Sequence, residues 1–389
     1  MRRLALWAGR IGVAGLVLAT PMTLAAEPYS WPIPAWMPAP PVPDDNRMST
    51  GKVELGRHLF YDARLSADGT VACVSCHVQE RAFTDGREVP VGINGTLGIR
   101  NAPGLANVGY LPLLTWANPH MSSLEFQALI PLFGDNPDEM GNNGQEAAMF
   151  ARLAADPYYQ TAFSAAFPDH ATPDLFTVTR ALAAFQRSLI SVDSAYDRFK
   201  RWGEKDALSE AAKRGEQLFF DHRFECYHCH SGIHFSDNLQ TSRSAFAEKG
   251  FHNTGLYNID GAGAYPANNT GLMELTGDPA DMGKFRTPSL RNVALTAPYF
   301  HDGSAETLTE VLEHYRAGGR SLADGPHAGN GAQSPLRDGL IVGNSATEAE
   351  VADIIAFLES LTDPGFITNP AYGDPWPADH PAVVKRVLP

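Results

Sequence analysis

Two five-residue segments constrain this chain more than anything else in it: Cys73-Val-Ser-Cys76-His77 and Cys226-Tyr-His-Cys229-His230, which together use all four cysteines. Each is a complete Cys-x-x-Cys-His. On one helical turn the two sulfurs face the same way and can form thioethers with the two vinyl groups of one haem, while the following histidine presents its imidazole to the iron. Zinc would also accept Cys and His ligands. Two copies, each with an immediate histidine, behind an export leader and inside a repeated helical frame, read instead as two covalent c-type haems. No cysteine is then left for a disulfide.

The frame around the motifs is repeated as well. Gly56-Arg-His-Leu-Phe60-Tyr-Asp62 precedes Cys73, and Gly215-Glu-Gln-Leu-Phe219-Phe-Asp221 precedes Cys226. Such self-similarity signals an internal duplication. In each copy the Gly and the Phe share a helix face, so a second helix can approach at the Gly and pack on the ring. Two further stripes predict helices: Val178, Leu182, Phe185 and Leu189, and Val351, Ile354, Ile355, Leu358 and Leu361, the latter opened by a Thr347/Glu350 capping box. The expected architecture is all-α, two cytochrome c-like haem domains with long loops between about 86 and 145 and between 231 and 300. Loops of that length are usually functional.

The expected organisation is a signal peptide over 1–26, a Pro-rich arm over 27–46, an N-terminal cytochrome c-like domain over 47–205 and a C-terminal one over 206–389. The leader reading rests on Arg2-Arg3, a short apolar run from Ile11 to Thr20 and small residues up to Ala26. That run is too short to span a bilayer, and no later stretch is long enough, so a soluble, periplasmic protein with no membrane span is expected. The proline content of Trp31 to Pro43 predicts an extended arm along the surface. A formal charge of -14 argues against nucleic-acid binding.

The remaining iron ligands decide the chemistry, because an iron with six protein ligands carries electrons whereas one with an open position can bind peroxide. For the second haem the last methionine is Met282, which leaves His301, His314, Tyr299 and Tyr315 as candidates. For the first, no histidine falls between His77 and His120, so an open, five-coordinate iron is expected.

From Phe285-Arg-Thr-Pro-Ser-Leu-Arg-Asn-Val-Ala-Leu-Thr-Ala-Pro-Tyr-Phe-His-Asp-Gly303 outward, nearly the whole mature chain resembles the bacterial dihaem cytochrome c peroxidase and MauG superfamily. Peroxidases of that superfamily place a methionine ligand fourteen residues after the His of His-Asp-Gly; counting fourteen from His301 gives Tyr315. MauG-like enzymes carry tyrosine there. The resemblance therefore implies that His230 and Tyr315 hold the second iron and His77 the first. It also implies an inter-haem and distal loop running from Trp116 through Gln127 and Pro131 to Glu139. Trp116 would relay electrons between the haems, and Gln127 and Glu139 would line the open face of the first, with Glu139 as acid and base toward hydrogen peroxide. From Pro131 to Glu139 this chain is two residues longer than the peroxidases and MauG. A calcium ion between the halves is implied through Asn101, Thr296 and Pro298.

Gly134 to Gly141, Ala181 to Ser191 and Phe251 to Gly261 look most like the MbnH branch. Its members are MauG-like dihaem enzymes acting with MbnP, a periplasmic copper-binding protein in which a tryptophan is converted to kynurenine. That resemblance implies a bis-Fe(IV) oxidant and long-range electron transfer from a partner tryptophan. MauG has a relay tryptophan two residues before the first cysteine of its second motif; here Phe224 stands at that position, so exit through Trp202 or a tyrosine is expected. The rivals are a peroxide-scavenging peroxidase fed by a small cytochrome or cupredoxin, and a plain dihaem electron carrier.

Overall fold

Two glycines show how the duplicated frame is built. In the computed structural model, which describes residues 29–389, helix α1 (Thr50–Phe60) packs on α6 (Leu175–Arg187), and α8 (Glu210–Phe219) packs on α11 (Glu348–Glu359). A Cβ on Gly56 would overlap the Ala181 carbonyl and come 2.8 Å from Phe185 Cβ; on Gly215 it would overlap the Asp353 carbonyl and come 2.9 Å from Phe357 Cβ. Both helix pairs thus cross with backbone against backbone, which only glycine permits. The aromatic four residues on then meets its partner edge-on or tilted, Phe60 on Phe185 at 5.2 Å and Phe219 on Phe357 at 5.1 Å between centroids. The leader expected over 1–26 lies outside the described residues.

The helix starts follow local chemistry. Ser49 and Ser209 cap α1 and α8 by accepting the amides of Lys52 and Ala212. Asp174 with Thr177 and Thr347 with Glu350 form reciprocal capping boxes on α6 and α11. Between α1 and α6 run α2 (Leu124–Gln127), α3 (Leu129–Phe133), α4 (Glu146–Ala154) and α5 (Pro157–Ala166), and α7 (Ala195–Arg201) joins the two pairs. After α8 come α9 (Met273–Thr276) and α10 (Leu308–Ala317), and after α11 a last short helix, α12 (Pro364–Thr368).

The fold is helical with little sheet. It departs from pure α in two antiparallel pairs of two residues each: β1 (Phe251–His252) with β2 (Phe285–Arg286), and β3 (Ser321–Leu322) with β4 (Gly329–Asn330). The long segments expected as loops carry α2, α3, α9 and the β1/β2 pair, none long enough to leave a periodic signature.

The main apolar core gathers α1, α5 and α6 around Leu55, Leu59, Phe60, Phe163, Leu182 and Phe185. A smaller core joins α8 to α11 through Phe219, Phe235, Ile354 and Phe357. The C-terminal segment crosses from the second helix pair to the first: Phe366 packs on Phe83 at 5.5 Å, Ala63 donates to the Ala382 carbonyl, and Trp376 donates to the His58 carbonyl. At the other end, the Pro-rich arm lies over Tyr110 and Ile190 through a buried Met37, with Trp31, Ile33 and Trp36 beside it. No helix among the described residues is long and apolar enough to cross a membrane.

Candidate haem centres

Both motif histidines are held the same way. His77 Nδ1 donates to the Phe83 carbonyl at 2.7 Å and His230 Nδ1 to the Phe235 carbonyl at 2.9 Å. With the proton fixed on Nδ1, Nε2 keeps its lone pair, the state a metal takes up. Burial pushes both imidazoles below the ordinary histidine value, which favours the neutral ligand form. Phe83 and Phe235 both turn through left-handed backbone, at φ 65° and 52°. Their rings are buried against Phe60 and Phe219 respectively, at 5.9 and 6.3 Å. Each ring therefore anchors the carbonyl that orients its histidine. Sequence reasoning gave these two residues no role; the signal was a phenylalanine six residues after His77 and five after His230.

The four cysteines sit on or just after short turns, Cys73–Ser75 and Cys226–His228, and none pairs with another in a disulfide. Cys226, Cys229 and His230 line a cavity of about 200 Å³, partly open to solvent, with walls that include Phe224, Leu290, Val293 and Leu312. An apolar slot carrying two thiols and one neutral imidazole suits a flat macrocycle. Tyr315, on α10, lines the same cavity and faces the two thiols; burial, then the thiols' charge, push its pKa up. The other three candidates differ. His301 lines the cavity but lies flat on Phe285, 3.5 Å between centroids, and the Tyr299 hydroxyl donates to the Val293 carbonyl. His314 is buried against Phe300 at 4.9 Å.

At the first motif, Glu139 is close enough to Cys73 and Cys76 for its charge to oppose ionisation of both thiols. Burial pushes its own pKa up to about 7. Its backbone is clamped by neighbouring turns: Ile93 donates to the Glu139 carbonyl at 3.0 Å, Ala67 donates to the Met140 carbonyl at 2.8 Å, and a Cβ on Gly92 would come 2.7 Å from Glu139 Cα. The longer Pro131–Glu139 loop is thus pinned at its far end. Gln127 ends α2 and is half-buried.

Trp116 lines the cavity of Cys226 and Cys229 and also a smaller second one of about 80 Å³. Its Nε1 donates to the Asn101 carbonyl at 2.8 Å, and its own carbonyl accepts from Arg286 N at 2.8 Å. Asn101, Thr296 and Pro298, far apart in sequence, all line this smaller cavity. The Asn101 amide donates to the Arg87 carbonyl at 2.9 Å, which leaves its side-chain oxygen free to face inward. Arg286 borders both cavities, its guanidinium 5.9 Å above the Trp116 ring and donating to the Thr115 and Thr287 carbonyls. Burial pushes Arg286 down to about 10. Haem carries two propionates, and a buried cation beside the cavity suits them; sequence reasoning had quoted Arg286 without giving it a role. Trp202 is half exposed at the end of α7, and Phe224 lines the larger cavity.

A sequence profile described as di-haem cytochrome c peroxidase matches residues 50–206. The chain is 34% identical to the cytochrome-c peroxidase IdrP1 of Denitromonas iodatirespirans, over 91% of this chain and 92% of that protein. It is 32% identical to the methylamine utilization protein MauG of Methylophilus methylotrophus, over 82% and 85%. Among solved structures it is similar to a MauG-like protein associated with microbial copper homeostasis, at 51% identity and a TM-score of 0.87, covering 90% of this chain and all of that one.

Proposed function

The chain belongs to the di-haem cytochrome c peroxidase and MauG family, and from that premise we propose that it is an exported, periplasmic enzyme that uses hydrogen peroxide to oxidise a tryptophan of a partner protein. Family membership makes it a haem oxidoreductase acting on peroxide and carries two c-type haems. Cys73 and Cys76 would bind one and Cys226 and Cys229 the other, with His77 and His230 as the iron ligands. When bound, the two irons supply the peroxide-reactive centre and the store of its oxidising equivalents.

The observation that carries the MauG-like reading is Tyr315 in the cavity of Cys226, Cys229 and His230. A buried phenol ionises readily only when a cation facing it stabilises the phenolate. A phenolate donor stabilises ferric and higher states, which suits holding an oxidising equivalent rather than passing electrons at high potential. Glu139, at about 7, is protonated about half the time near neutrality. It can take the proton from one peroxide oxygen and return it to the other, with Gln127 orienting the peroxide. Trp116, touching both cavities, is the relay between the halves. Asn101 with the carbonyls of Thr296 and Pro298 offers the oxygen-only donors that calcium prefers, and a structural calcium ion there would tie the halves together.

For the partner, the similarity to a protein associated with microbial copper homeostasis supports a periplasmic copper-binding, MbnP-like protein whose tryptophan is oxidised toward kynurenine by long-range electron transfer, with water or dioxygen supplying oxygen and the indole C2 leaving as formate. A second reading is favoured by the likeness to IdrP1: a peroxide-scavenging cytochrome c peroxidase reduced by a small cytochrome or cupredoxin. Mössbauer spectra of the diferric enzyme before and after stoichiometric hydrogen peroxide separate the two. Oxidation above ferric at both irons, altered in Tyr315→Phe, is expected. A reaction that starts only after one-electron reduction would leave the scavenging peroxidase.

A further inference from the structure

The turn that carries the second motif holds a cluster that the proposed chemistry does not use. His222, Glu225 and His228 bring one ligand atom each within 4.8 Å of one another. Both histidines are exposed, while Glu225 is half-buried. Glu225 takes left-handed backbone at φ 57°, uncommon for a residue with a side chain, and this aims its carboxylate back at the histidines. One of its carboxylate oxygens is buried, and its polar neighbour is His228 Nε2. Tyr227 braces the group, its hydroxyl 2.8 Å from His222 Nδ1 and its ring 4.3 Å from His228. The nearest arginine is engaged elsewhere: Arg223 pairs with Glu350 and stacks over Phe224 at 4.6 Å. Among the described residues, the Glu225 carboxylate pairs only with His228, itself a member of the cluster.

Two imidazoles and one carboxylate, converging at the surface with room for water, form the donor set of a borderline divalent ion. We propose that His222, Glu225 and His228 form a binding site for a first-row divalent cation, separate from either haem, which takes copper(II) most tightly and zinc next. The preference follows the general order of divalent affinities for nitrogen and oxygen donors. An ion there sits beside Cys226, on the outer rim of the second cavity, with at least one open position and thus exchangeable.

The test uses haem-loaded, chelator-stripped protein titrated with copper(II) and followed in the copper region of the EPR spectrum. The expected result is one saturable equivalent with nitrogen hyperfine structure, displaced by excess zinc(II). In the His222→Ala/His228→Ala double variant the affinity should fall by about 100-fold or more, beyond what loss of an outer partner costs. Both substitutions are exposed and leave Cys226, Cys229 and His230 intact, so haem content read from the absorbance spectrum verifies that the variant is folded. Glu225→Gln should weaken binding while keeping the nitrogen couplings. Titrations that coincide for wild type and double variant, or wild-type binding that never saturates, would overturn the proposal.

Discussion

The two halves of the molecule share one device and differ in what surrounds it. In both, a glycine lets two helices touch, a phenylalanine four residues on meets an aromatic of the partner helix, and a second phenylalanine turns its carbonyl onto the motif histidine. The first half fills the space around this device with a large apolar core and sets a half-buried carboxylate, Glu139, near its thiols. The second has a smaller core, a wide apolar cavity and a phenol facing its thiols. The repeated frame thus holds both motif histidines alike, while the groups set near the thiols differ between the halves.

The largest effect that could break this comparison is loss of attachment. Replacing Cys73 and Cys76 together by alanine, or Cys226 and Cys229 together, should each remove one covalent haem and leave the other, read by intact-protein mass and haem stain. Loss of both from either variant would mean that the halves cannot load independently. Next come the groups that differ. Glu139→Gln should slow the reaction with peroxide by about 10²–10⁴-fold, the range for a positioned acid and base. Because the carboxylate form accepts the first proton, the wild-type rate should rise with pH through about 7, and the variant should lose that inflection. A variant that keeps the inflection would assign it to another group.

Much of the shared device was legible in the sequence, because a Gly-x-x-x-Phe spacing and a duplicated Cys-x-x-Cys-His are local patterns; the Phe83 and Phe235 carbonyls that orient the histidines were not. The helices of both pairs follow from their apolar stripes and caps, and the Thr347/Glu350 box is present as expected. What escaped are contacts with no period. The C-terminal segment returns to the first core through single residues, Phe366 and Trp376, spaced by turns. Arg286 stands out only once burial shows a cation between two cavities. The convergence of Asn101, Thr296 and Pro298 on one cavity was reached through resemblance, since nothing in their local sequence says that they meet.

A smaller effect tests the helix crossings themselves. Gly56→Ala and Gly215→Ala each push a Cβ into a facing carbonyl, so each helix pair must open. The cost should be about 3 kcal/mol, at the upper end for overpacking, read as lowered denaturant midpoints. Gly56 lies in the larger core and should unfold more of the molecule when it fails. If only one substitution destabilises, the two crossings are not equivalent.

The smallest difference concerns the two serine caps. Ser49 accepts the Lys52 amide at 3.2 Å and Ser209 the Ala212 amide at 3.1 Å, so the bonds are alike. Their surroundings are not: Ser49 is buried at 7% exposure, while Ser209 is exposed. When alanine removes the hydroxyl, water can take its place at the exposed position of Ser209 but enters the buried position of Ser49 poorly. A lost cap costs about 0.5–2 kcal/mol, and a buried donor left unsatisfied bears the upper part of that range. Ser49→Ala should therefore lower the melting temperature clearly more than Ser209→Ala, by calorimetry on haem-loaded protein. Equal losses would mean that solvent reaches both helix starts alike, and that the halves differ around their haems but not at their helix ends.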